Sequence, residues 1–262
     1  MRILVVSNHK GGTGKTTTVH TLGHIFASEH GLNVVMIDLD PQASLTLACG
    51  ISEEDAHEAN IAHVLRDSGG SRITVDKVLR KLDDRLWLAP AHSGMLGAAQ
   101  MELTIMTVGR DFVLRDALES LRGADMVLID TMPGINILLV NALVAATDVL
   151  VPTQPQVLAL GGLGKFLDTL RQIERVNPGL NRLGILLTFY RDRYRLHRAA
   201  REGLEQSDIQ EGFRLFETRI GQSVKVAEAP GEGETVIEHA PDNDRAREYR
   251  ALAQEVLERM GL

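Results

Sequence analysis

Lys10-Gly11-Gly12-Thr13-Gly14-Lys15-Thr16-Thr17-Thr18 follows the short apolar run Ile3-Leu4-Val5-Val6 and opens a helical pattern. Those residue types in that order suit the binding of a phosphorylated anion. Gly11, Gly12 and Gly14 let the backbone turn tightly and aim its N–H groups inward. The helix N-terminus behind them, with Thr17 in its first turn, adds partial positive charge. Lys15 brings a full charge to the outer phosphates, and the Thr16 hydroxyl is of the kind that ligates Mg²⁺. The usual spacing G-x-x-x-x-G-K-[ST] is not met, because His9 stands where its first glycine belongs. A second lysine, Lys10, opens the loop instead.

Two further runs carry carboxylates at the ends of apolar stretches. Ile37-Asp38-Leu39-Asp40-Pro41-Gln42 sets two acids directly after a buried strand, which is costly unless a cation or bound water pairs with them. Its plainer reading is a strand-end turn closed by Pro41. Met126-Val127-Leu128-Ile129-Asp130 ends another apolar run in an acid, the arrangement in which a carboxylate reaches Mg²⁺. Its plainer reading is a strand whose last residue caps the next turn. Thr131-Met132-Pro133-Gly134 then forms the turn beside it.

Taken together, these runs resemble the deviant Walker A ATPases of the ParA/MinD group, with the closest likeness to its ParA/Soj branch. The resemblance extends from residue 2 to about residue 258. It implies ATP and Mg²⁺ as ligands, with Gly11, Gly12, Thr13, Gly14, Lys15, Thr16, Thr17 and Pro133 around the nucleotide. It implies Thr16, Asp38 and Asp130 around the metal, and Lys10, Lys15 and Asp40 as the catalytic set. Asp40 would position the attacking water. Lys10 would reach the nucleotide of a second copy, so that ATP binding and homodimerisation become one event. Met132 departs from the small or proline residue usual in that turn.

A basic run lies further on. Residues 188–201 hold Arg191, Arg193, Arg195, Arg198 and Arg201 against the single acid Asp192. Such a cluster neutralises several phosphates and binds DNA without sequence preference. Equally, it reads as a solvated helix face paired with Glu202 and Glu205. The resemblance favours DNA and adds Lys225 to the same surface. It further implies nonspecific double-stranded DNA as a partner, a ParB-type centromere-binding protein that accelerates hydrolysis, and a cytoplasmic, nucleoid-associated location. Gly221-Gln222 replaces part of a proline-arginine-asparagine sequence common in the group.

Elements must position these residues. Apolar runs at 2–7, 33–38, 86–89, 126–130, 148–152 and 183–189 read as strands. Periodic stretches at 15–30, 94–106, 111–121, 135–146, 160–176, 195–207 and 244–260 read as helices. Short apolar strands alternating with helices imply an α/β fold, a P-loop NTPase-like, mainly parallel sheet with helices on both faces. Ligands in such folds bind at the carboxyl ends of the strands, where all three motifs fall. The Gly69-Gly70 pair marks a surface loop, and residues 1–262 are expected to form a single ATPase domain.

Composition narrows the function classes. Net charge is −7, so nucleic-acid binding would have to be local. The single cysteine, Cys49, excludes a disulfide framework and leaves an iron–sulfur carrier without its ligands. Met1 and Arg2 lead directly into a strand, so no leader is expected, nor the long N-terminal DNA-binding extension of some plasmid members. No apolar stretch is long enough to span a bilayer. The C-terminal pattern mixes acids with bases, so it reads as a helix packed on the domain and not as a MinD-like membrane anchor. A relative that positions a protein cargo stays open at this stage.

Overall fold

The computed structural model describes residues 1–66, 73–206 and 213–262. The strands are β1 (Arg2–Val6), β2 (Val34–Leu39), β3 (Arg80–Asp83), β4 (Leu86–Ala89), β5 (Met126–Thr131), β6 (Asp148–Thr153), β7 (Asn181–Tyr190) and β8 (Leu215–Gly221). The helices are α1 (Lys15–Ser28), α2 (Ser44–Ala48), α3 (Glu53–His57), α4 (Ile61–Leu65), α5 (Ser93–Ile105), α6 (Val113–Leu118), α7 (Ile137–Ala145), α8 (Val157–Ile173), α9 (Arg195–Gln206), α10 (Val224–Glu228), α11 (Val236–His239) and α12 (Asp244–Met260).

The strands form one eight-stranded sheet in the order β3-β4-β2-β5-β1-β6-β7-β8. Among the described residues only the β3–β4 pair is antiparallel. The central strands are buried on both faces, and their alternation divides the core in two. Ile3, Val5, Val35, Ile37, Val127 and Ile129 face one layer with residues of α4, α5, α6, α7 and α8. Leu4, Val6, Val34, Met36, Met126 and Leu128 face the other, with α1 and α12. This is the period-two pattern of a sheet covered on both sides. Tyr249, Leu252 and Val256 of α12 are wholly or almost wholly buried there. The apolar side of that helix is therefore occupied by the domain itself. No helix among the described residues is long and apolar enough to cross a membrane.

All six strands read from the sequence are present, and two are added. β3 is Arg-Lys-Leu-Asp, alternately half-buried and exposed, and β8 buries only Phe216 and Ile220. Both lie at sheet edges, where one face meets solvent and no apolar run is required. The helix expected over 111–121 is shorter, Val113–Leu118. The one expected over 160–176 starts three residues earlier and ends at Ile173, ahead of the Asn177-Pro178-Gly179 turn. The Gly69-Gly70 loop and Ser207 lie outside the described residues.

The register of the central strands decides where the chemistry gathers. Asp38 pairs with Asp130 across β2 and β5, and Val6 pairs with Asp130 across β1 and β5. Three strands thus end level, and their trailing loops converge at the carboxyl end of the sheet.

Candidate functional site

The loop between β1 and α1 forms a backbone cradle. Gly12 and Gly14 have φ of 70° and 84°, a region open to glycine and strained for other residues. Gly14 is the N-cap of α1 and provides no side-chain hydrogen bond to the first turn. By contrast, α3, α4, α5, α7, α10 and α12 are each closed by a side chain. The amides of the first turn of α1 thus keep their donors for an anion. The loop is braced from outside the cradle. Thr188 Oγ1 donates to the Thr13 carbonyl at 2.9 Å, and Gln154 Nε2 donates to the Gly12 carbonyl at 2.7 Å.

A cleft of about 350 Å³ opens above the cradle, lined by Gly11–Thr17 together with Asp40, Gln42, Ser44, Pro133 and Phe189. Lys15 lies nearly buried at its floor. Burial lowers its ammonium from the ordinary value, opposed by the charges of Asp130 and Asp40. Thr16 Oγ1 donates to Asp130 Oδ2 at 2.6 Å, so the hydroxyl and carboxylate expected at a metal already touch. Asp130 is fully buried, and burial with the nearby Asp38 charge pushes its carboxyl up to about 8. A buried carboxylate so disfavoured as an anion fits a cation held against Thr16.

Asp38 sits differently. Its carboxylate accepts from the Thr46 amide at 2.9 Å, the Thr46 hydroxyl at 2.7 Å and the Asp40 amide at 3.1 Å. It orders the turn that carries Asp40, and burial raises its own carboxyl. Asp40 in turn accepts from the Gln42 amide at 2.9 Å and faces the cleft. The turn after β5 docks on the cradle, with the Gly134 amide donating to the His9 carbonyl at 3.1 Å.

Lys10 is held within its own chain. Its Nζ donates to Gln156 Oε1 at 2.6 Å, and Gln156 Nε2 donates to Gln154 Oε1 at 2.9 Å. The Gln154 contact with Gly12 completes a relay back to the cradle.

A family model described as an AAA domain matches residues 1–182. The chromosome-partitioning ATPase Soj of Thermus thermophilus is 35% identical over 261 residues, covering 99% of this chain and 97% of that one. The chain belongs to the ParA/MinD family of ATPases. The sporulation initiation inhibitor protein Soj of Bacillus subtilis is 32% identical, covering 97% of this chain and 98% of its own. Among solved structures, the cobyrinic acid a,c-diamide synthase of Mycobacterium smegmatis with bound ATP analogue and magnesium superposes with a TM-score of 0.82. It is 30% identical and covers 100% of this chain and 96% of that one. This ParA/MinD-type protein is a P-loop ATPase that uses ATP and Mg²⁺, and the cradle and the Thr16–Asp130 pair fit both.

The basic run lies at the same carboxyl end of the sheet, after β7. Arg193, Arg195 and Arg198 are exposed. Arg191 and Arg193 flank the Tyr194 ring at 5.6 and 5.2 Å. Arg198 donates to the Asp192 carbonyl. Arg201 pairs with Glu205 at 2.7 Å and Lys225 with Glu228 at 2.9 Å, so these two follow the paired-face pattern. Among the described residues, Arg191, Arg193, Arg195 and Arg198 have no acidic side chain within ion-pair distance. Beside them runs an open groove of about 860 Å³, bounded by Arg191, Arg193, Arg219, Arg245 and Arg247, with Glu217 among its acids.

Several contributors leave no mark in sequence. Gln154, Gln156 and Thr188 act across long separations, and Thr46 reaches Asp38 only because α2 folds back over the end of β2. Arg219 and Arg245 come from β8 and α12, and only the packing of those elements brings them to the arginine run.

Proposed function

We propose that residues 1–262 form one ATPase domain that partitions DNA, closing as an ATP-sandwich homodimer on DNA and leaving it after hydrolysis. The observation that carries this reading is the convergence at the carboxyl end of the sheet of the cradle, the Asp38–Asp40–Asp130 group and an arginine surface. The Soj relatives, named for chromosome partitioning and sporulation control, support the same reading.

In the proposed mechanism the amides of Gly11–Thr17 and Lys15 hold the phosphates. Thr16 and Asp130 would hold Mg²⁺, which would supply charge neutralisation at the outer phosphate oxygens. Asp38 acts mainly by fixing the Asp40 turn and by adding negative charge beside Asp130. Asp40 orients water for in-line attack on the γ-phosphate. Lys10 leaves Gln156 and contacts the partner's nucleotide, where it stabilises charge developing in the transition state. Pro133, next to Gly11, carries nucleotide state into the turn after β5.

Dimerisation doubles the surface formed by Arg191, Arg193, Arg195 and Arg198, with Arg201 and Lys225 at its margin. Phosphate contacts then accumulate and the affinity for nonspecific duplex DNA rises. A ParB-type partner would shorten the bound state by stimulating hydrolysis, in a cytoplasmic and nucleoid-associated setting. The test is molar mass in solution with Mg²⁺ and ATP, for the natural chain and for Lys10→Ala. The reading expects an ATP-dependent dimer that Lys10→Ala weakens at least tenfold. A monomer at saturating ATP, or a Lys10→Ala dimer of unchanged strength, contradicts it.

A further inference from the structure

Phe189 is one of two non-glycine residues with positive φ among the described residues, at 53°, the other being Ala43. That conformation disfavours a bulky side chain and persists where the surroundings hold it in place. It falls at the end of β7, between Thr188 and Tyr190, which are both buried. Thr188 is fastened to the cradle through the Thr13 carbonyl. The turn throws the Phe189 ring outward, where it remains 39% exposed. Its edge lies against Gly14, such that a methyl group added to Gly14 would be 3.8 Å from Phe189 Cε2.

The ring borders two cavities. One is the phosphate cleft over Gly11–Thr17. The other is a pocket of about 140 Å³ behind Gly14 and Thr17, walled by Ile220, Val226 and Ala227 and reaching Tyr249. The two share Gly14, Thr17 and Phe189. This mainly apolar pocket adjoins the cradle along Gly14 and Thr17, close enough to receive the base end of a nucleotide whose phosphates fill the cradle, and the ring stands at that border. A half-exposed aromatic edge on a strained turn is poorly explained by core packing, since the ring is not enclosed. It is well placed to offer a face to a purine or its ribose.

We infer that Phe189 is a positioning residue for ATP, the aromatic wall against which the base end of the nucleotide rests. This rests on the reading of Gly11–Thr17 as the phosphate cradle. Its test is calorimetric binding of Mg-ATP and of magnesium tripolyphosphate, which lacks base and ribose. The proteins are the natural chain, Phe189→Ala, Phe189→Leu and Lys15→Ala. Phe189→Ala should weaken ATP by about tenfold, the scale of losing one base–aromatic contact, and leave tripolyphosphate within about twofold. In steady state its KM for ATP should rise while kcat holds. Phe189→Leu, which keeps apolar bulk without the aromatic face, should fall between. Lys15→Ala should weaken both ligands. Unchanged ATP affinity in Phe189→Ala overturns the inference. Equal losses for ATP and tripolyphosphate also overturn it, because the ring would then only brace the loop. Lys15→Ala binding both ligands as the natural chain does would overturn the cradle reading and this inference with it.

Discussion

Asp130→Asn should stabilise the ligand-free protein while abolishing its turnover. Asp130 has no exposed surface, and burial pushes its carboxyl up to about 8, with Asp38 adding to the effect and Thr16 and Lys15 opposing it. That lies roughly four units above the ordinary aspartate value, and each unit corresponds to about 1.4 kcal/mol. The upper bound on the cost of keeping this group in the fold near pH 8 is therefore about 5 kcal/mol. Part of that cost comes from the Asp38 charge and not from burial alone, and the asparagine amide must reform the contacts with Thr16 and the Thr131 amide. We expect a net gain of roughly 2 kcal/mol, or about 4–8 °C in Tm for a chain of this size. The sign follows from proton binding. Between about pH 4 and 8 the folded carboxyl keeps a proton that the unfolded one has released, so the natural chain loses stability as pH rises through that window. The advantage of Asp130→Asn should be small at pH 4 and full at pH 8. The assay is thermal unfolding across pH without magnesium or nucleotide, paired with phosphate release. With Mg-ATP the order should reverse, because ligand stabilisation reaches the natural chain more strongly. A variant less stable than the natural chain at pH 8 without ligand, or one that still turns over, would refute the reasoning.

Other expectations concern separate parts of the molecule. Asp40→Ala should retain ATP and DNA binding and lower phosphate release by at least about a hundredfold; a variant of natural speed would remove Asp40 from its role. His20 is almost fully buried on α1, and burial depresses its imidazole to about 4. The unfolded chain takes up that proton near pH 6.5, so stability should fall by about 2–3 kcal/mol as pH drops from 7 to 4.5. His20→Gln should remove this part of the slope in urea titrations, and parallel profiles would contradict the assignment. Arg193→Glu should leave ATP-dependent dimerisation intact and weaken binding to every duplex, with a shallower salt slope. Unchanged DNA affinity would mark the run as a solvated face.

Legibility in the sequence followed the range over which each feature is encoded. The cradle from Lys10 to Thr18 is contiguous and flanked by a strand and a helix, so its residues declare their role locally. Asp38, Asp40 and Asp130 end apolar strands, and parallel pairing alone brings such ends together. The strands β3 and β8 were not legible, because edge strands need no apolar run. Nor was the engagement of Asp38 by Thr46, which depends on how α2 packs back over β2. The arginine run was visible as charge, yet the pairing of Arg201 with Glu205 and of Lys225 with Glu228 needed the fold to separate paired from unpaired cations. The outward turn of Phe189 is a backbone property with no glycine or proline to announce it.

The central claim is that nucleotide state controls an electrostatic grip on DNA. Its most direct test is equilibrium binding to a duplex of arbitrary sequence, with Mg-ATP, with Mg-ADP and without nucleotide, across a salt series. The account predicts binding with ATP that is much tighter than in the other two states and weakens steeply as salt rises. Binding that ignores the nucleotide, or none in any state, would contradict it.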